Sequence, residues 1–240
     1  MKIIEYNDTN NITVEFQDEH NYKTHTTYGN YKKGSIKNLY YPTVYGVGII
    51  GDKYQKSIKD ITIKEYNTWL HILQRCYSDK FKKKQPAYDK VECCEEWLYY
   101  PNFYEWLHSQ SNFDKWYNGN RWAIDKDILH KGNKIYSPDN CCLVPQSINC
   151  LFISSKWKRS SLPVGVGANG NKFEARCKNS FTGELEHLGI YDSSEEAFYK
   201  GYKPYKENLI KQTAQTEYNQ GNITKACYDA MIRYEVEIDD

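Results

Sequence analysis

Asp125, Lys126, Asp127 and His130 crowd into one short stretch, and Asn140 and Asn149 follow it. An Asp or His at a strand end and an Asn or His on a facing helix can together hold one divalent cation against a phosphodiester. Such a cation polarises the phosphoryl oxygen and stabilises the leaving oxygen. A neighbouring imidazole can then accept the proton of the attacking water. Asp125, Asn140 and Asn149 stand at the required places in order, provided Asp125 and Asn149 point at a common spot. A simpler reading has Asp125 and Asp127 capping a β-turn.

Other residue types bound the remaining chemistry. The eight cysteines form no C-x-x-C pair: Cys93-Cys94 and Cys141-Cys142 are adjacent, and Cys76, Cys150, Cys177 and Cys227 are single. Tetrahedral Zn²⁺ takes four ligands, so Cys76, Cys93 (or Cys94) and Cys141 (or Cys142) are candidates for a structural zinc site. Buried free thiols acting as small hydrophobes are the stronger reading. The formal net charge of +1 excludes a uniformly basic protein, so any nucleic-acid face must be local. Basic candidates for such a face are Lys156, Lys158 and Arg159 in one run, and Lys172, Arg176 and Lys178 in another. The chain opens straight into strand-like sequence and has no apolar run of the ~18 residues a bilayer span needs. A cytoplasmic protein without membrane contact is expected, in the host cytoplasm if a phage encodes it.

The elements that must position these groups read as α+β. Residues 1–60 suggest a small β module of SH3-like type. Ile12-Thr13-Val14-Glu15-Phe16 alternates apolar and polar, Asp8-Thr9-Asn10-Asn11 supplies a turn, and Tyr41–Gly51 is strand-like. A helix is predicted over 62–79, with Thr62 and Glu65 as a capping box. Tyr66, Trp69, Leu70, Leu73 and Cys76 fall on its apolar side. A second helical region is predicted over 92–110, around Trp97, Phe103, Trp106 and Leu107. From residue 121 the order becomes strand (Trp122-Ala123-Ile124), loop, strand (Cys141–Val144) and helix (Gln146–Phe152), with Pro145 at the helix start. Beyond a basic linker, Val164-Gly165-Val166, Lys172–Cys177 and His187–Tyr191 read as three strands. Asp192–Glu196 caps a following helix, and a helical hairpin broken at Gly221-Asn222 ends the pattern. On the second of these strands Lys172, Arg176 and Lys178 share one face, and Phe173, Ala175 and Cys177 the other.

The run Ile124-Asp125-Lys126-Asp127-Ile128-Leu129, with Gly132-Asn133-Lys134, Tyr136-Ser137-Pro138-Asp139-Asn140-Cys141, Val144-Pro145 and Ile148-Asn149, resembles HNH-family proteins common in bacteriophages. The resemblance spans about residues 65–155. It implies a ββα-metal domain over 61–155, with Asp125 and Asn149 as ligands of Mg²⁺ or Mn²⁺ and Asn140 as the residue tethering the loop. Some HNH proteins also carry a structural zinc. The family's general-base His falls here on Lys126, and a lysine at its reference pKa of about 10.4 is protonated at neutral pH. Asp127 or His130 would then have to serve as base. Residues 156–240 resemble an AP2-like domain, a three-stranded sheet against one helix that reads DNA from the sheet.

These expectations point to double-stranded DNA as the partner and to three function classes. One is an HNH-type endonuclease of phage origin that hydrolyses phosphodiester bonds. Another is an HNH-fold protein that binds DNA but has lost its base through Lys126. The third is an interaction protein for a host or virion protein, for which abundant Tyr and Trp on a near-neutral chain speak. A homodimer is compatible with each.

Overall fold

The computed structural model describes residues 1–152 and 162–240. It is mixed α and β, with several small sheets in place of one large one. The chain forms two compact units, Met1–His108 with Ile135–Ser137, and Ser109–Lys134 with Pro138–Asp240. No helix among the described residues is long and apolar enough to cross a membrane.

The first unit opens with three antiparallel strands, β1 (Lys2–Asp8), β2 (Asn11–Glu15) and β3 (Lys23–Thr26), in the order β1-β2-β3. The turn expected at Asp8–Asn11 joins the first two, with the Asp8 carboxylate accepting from the Asn10 amide at 2.6 Å. Ile12 and Val14 are fully buried, as the alternation predicts. The expected barrel does not close. After α1 (Tyr28–Lys33), the Tyr41–Gly51 stretch makes only isolated bridges, Val44 with Gly48 and Ile49 with Tyr99. Tyr45 and Gly46 both have positive φ, which bends this stretch back on itself.

A two-residue hairpin, β4 (Ser57–Ile58) and β5 (Ile61–Thr62), leads into α2 (Lys64–Tyr77). The capping box is not formed. Thr62 is taken up by pairing with Ser57, so Ile63 precedes the helix and supplies no side-chain cap. Glu65 is buried instead and meets His108 Nε2 at 3.3 Å. α2 buries Tyr66, Trp69, Ile72, Leu73 and Cys76, close to the predicted face. A short α3 (Asp79–Lys84) and a 3₁₀ turn at Pro86–Tyr88 follow.

The helical region expected over 92–110 is divided. It holds β6 (Glu92–Cys93), a 3₁₀ turn at Glu95–Leu98, and α4 (Tyr100–Ser109). Pro101 explains the late start of α4, since proline fits only the first turn of a helix. Trp97, Tyr100, Phe103 and Leu107 fill the core against Trp69, whose indole donates to the Trp97 carbonyl at 2.6 Å.

The second unit contains α5 (Phe113–Asn118), β7 (Trp122–Asp125), β9 (Cys142–Pro145) and α6 (Gln146–Phe152). Strand β8 (Ile135–Tyr136), cut from the loop between them, pairs in parallel with β6 in the first unit. β7 and β9 are antiparallel, from Trp122 opposite Pro145 to Asp125 opposite Cys142. Pro145 ends the strand, and the helix begins one residue later.

A second sheet in this unit has the order β10 (Val166–Asn169), β11 (Lys172–Lys178) and β12 (Leu185–Tyr191). Gly170, at φ +60°, makes the two-residue turn between the first two strands. Ser193 caps α7 (Ser194–Glu196) by accepting from the Glu196 amide at 3.1 Å. That helix continues through a π turn at Ala197–Tyr202 into α8 (Lys203–Asn219), and α9 (Lys225–Ile232) completes the hairpin. Val144, Ile148, Ala175, Phe198, Ile210, Cys227 and Met231 belong to one buried cluster, so the β7-β9-α6 segment and the second sheet share a core.

Candidate functional site

The β7–β9 hairpin brings most of the candidate residues together, in roles different from those the sequence suggests. Asp125 ends β7 and is 7% exposed. Its Oδ1 accepts from the backbone amides of Asp127 at 2.7 Å and Ile128 at 2.8 Å. The carboxylate therefore caps the turn that starts the loop. Burial pushes the Asp125 pKa above its ordinary value, against the pull of those two amides and of the Lys126 cation.

Lys126 points inward and is 6% exposed. Its ammonium donates to both carboxylate oxygens of Asp127 at 2.7 Å and to the Asn133 carbonyl at 3.0 Å. The Asn133 amide in turn donates to the Lys126 carbonyl at 2.9 Å, and Asn140 donates to Asn133 Oδ1 at 3.2 Å. A chain of bonds, Asn140 to Asn133 to Lys126 to Asp127, thus holds the loop. Asn140 does tether this loop, but it acts through Asn133, a residue to which sequence reading assigned no role. An ammonium clamped by a carboxylate and a carbonyl cannot accept a proton, and Asp127 is engaged in that clamp. The His130 side chain is exposed and makes no hydrogen bond among the described residues. Asn149 is half-buried on α6, between the buried Ile148 and Leu151, and makes no hydrogen bond to this network.

The donors here do not suit a hard divalent cation, which needs several oxygen ligands. One oxygen of Asp125 is committed to two amides, Asp127 is committed to Lys126, and a buried ammonium sits beside both. Among the described residues, no three His, Cys, Asp or Glu side chains form a group that could hold a metal.

The cysteines are free thiols. Cys76 and Cys93 are buried in the first unit and Cys141 in the second. Cys142 Sγ lies 3.9 Å from Cys227 Sγ, which lies 4.0 Å from Met231 Sδ. The hydrogen bond with Cys227, reinforced by burial, pushes the Cys142 thiol up. Cys94 goes the other way, to about 7, chiefly through a hydrogen bond with the Cys93 thiol.

On β11 the predicted faces hold: Ala175 and Cys177 are buried, and Lys172, Arg176 and Lys178 are exposed. Glu174 shares that exposed face, two residues from Arg176, and decides its electrostatics. Its carboxylate binds Arg176 at 2.5 Å and His187 at 2.5 Å. Lys172 pairs with Asp192 at 2.9 Å. The i, i+2 rule that picked out the three cations also places Glu174 among them. Lys156, Lys158 and Arg159 lie outside the described residues.

No family model, curated protein or solved structure matches this chain.

Proposed function

We propose that this protein binds double-stranded DNA through its second unit, on a ββα scaffold of HNH type that holds the duplex without hydrolysing it. The strand-loop-strand-helix order from Trp122 to Phe152 and the Asn140 tether support the scaffold. The observation that carries the non-hydrolytic reading is the Lys126 clamp. The position at which the family keeps its base is filled by an ammonium bound to Asp127 and to the Asn133 carbonyl. Exposed Lys131, Lys134 and Lys178, together with the basic run Lys156, Lys158 and Arg159, supply local positive charge on a chain that is near neutral overall.

The test is a gel shift and a cleavage assay on the same labelled duplex, with Mg²⁺ or Mn²⁺ added. The expected result is a salt-sensitive shift and an intact duplex. Metal-dependent cleavage that disappears in Asp125→Ala and Asn149→Ala would replace this reading with that of an active nuclease.

A further inference from the structure

Against the loop that carries Asp127, the second unit has an open cavity of about 420 Å³, walled by Asp127, Lys131, Lys134, Phe152, Tyr234 and Asp240. Lys131 organises it. Its ammonium donates to Asp240 Oδ2 at 2.8 Å and to the Glu235 carbonyl at 2.8 Å, and lies 4.8 Å from the centre of the Tyr234 ring. Asp240 Oδ2 also accepts from the Glu237 amide at 2.9 Å. Phe152 meets Tyr234 edge-on, with ring centres 4.8 Å apart.

One carboxylate is therefore held where an ammonium and a backbone amide converge, beside an aromatic wall. Phosphate oxygens of nucleic acids take these same two kinds of donor. The remaining charges on the wall show what the carboxylate hides. Asp127 is already paired with Lys126. That leaves Lys131 and Lys134 on the loop, opposed by Asp239 and Asp240 on the Tyr234–Asp240 segment. The Lys131 and Asp240 side chains are 37% and 24% exposed, so solvent and a competing anion can reach the pair.

We propose that this cavity is a DNA phosphate subsite centred on Lys131, and that Asp240 occupies it as an internal phosphate mimic that DNA must displace. This inference rests on the DNA-binding reading above. The Tyr234–Asp240 segment then sets the affinity of the second unit: its carboxylate competes for the same ammonium as the incoming backbone.

Fluorescence anisotropy with a labelled mixed-sequence duplex, measured on the full chain over a range of salt, tests it. Asp240→Asn is expected to bind about two- to fivefold tighter, the scale of one surface ion pair. It should also steepen the slope of log affinity against log salt by about 0.9, one added phosphate contact. Lys131→Gln should weaken binding and flatten that slope by a similar amount, and Asp240→Asn should add nothing in its background. Asp240→Glu keeps the charge and should bind like the parent. A gain in Asp240→Glu equal to that in Asp240→Asn would trace the effect to a loosened segment and overturn the mimic. So would a parent that binds duplex with Asp240→Asn unchanged, although the DNA-binding reading would then stand. Failure of both parent and Asp240→Asn to bind at low salt would remove both.

Discussion

Asp125 shows how one side chain can fit a catalytic pattern in sequence and a capping role in space. Its oxygen satisfies two amides that the turn would otherwise leave buried without partners. Asp125→Ala removes that acceptor and should cost about 1–3 kcal/mol in a denaturant titration. Asp125→Asn keeps an oxygen acceptor and carries no charge. Because burial raises the folded-state pKa of Asp125 above its ordinary 3.8, this carboxyl contributes stability while protonated, and that contribution is lost as pH rises through the folded value. Asp125→Asn should therefore match the parent below pH 3.8 and exceed it in stability at neutral pH. Stability curves that coincide at both pH values would mean that the carboxylate is better solvated than its burial implies. The residues assigned to the candidate site were legible as a cluster because an Asp, a Lys and three Asn residues recur across one short hairpin. Their bonding was not legible, because the partner of Lys126 depends on where the loop returns.

At the scale of elements, the second sheet is held to its helices by close approaches that only glycine permits. Gly165 sits at φ +73°, and a Cβ there would lie 1.9 Å from the Tyr202 ring. Gly201, in the π turn, brings the helix against the Ala175 side chain. Gly165→Ala combines a disfavoured backbone angle with overpacking, each worth on the order of 1–3 kcal/mol. It should lower the denaturation midpoint well beyond any exposed-glycine control such as Gly183→Ala, which has an open position at a similar φ. Equal losses in the two variants would show that backbone strain alone is responsible. Three strands and a capped helix could be read from alternation and from Asp192-Ser193. The π turn could not, since nothing local marks the extra residue. Tyr41–Gly51 misled for a related reason: apolar alternation predicts a strand but cannot supply the neighbouring strand that a sheet requires.

For the whole molecule, a formal net charge of +1 limits how much of the surface can serve a polyanion. Arg176 is neutralised by Glu174, Lys172 by Asp192 and Lys126 by Asp127. Few cations therefore remain for phosphates, and the predicted dependence of DNA affinity on salt is modest. The slope of log affinity against log salt should stay below about 5 in magnitude, or roughly five phosphates. A slope near 10, measured by the same anisotropy titration, would require a much broader basic face than the described residues present.

What the sequence determined by itself follows from local rules. It set the mixed α and β character, the hydrophobic faces of α2 and β11, the turn at Asp8–Asn11, and the strand-loop-strand-helix order after residue 121. Each of these depends on the spacing of neighbouring residues, which the chain carries everywhere. Tertiary structure decided which charges neutralise which. The Lys126 clamp, the Glu174 pairings and the seat of Asp240 on Lys131 join groups from separate parts of the backbone, and an ion pair exists only where folding brings both partners within reach.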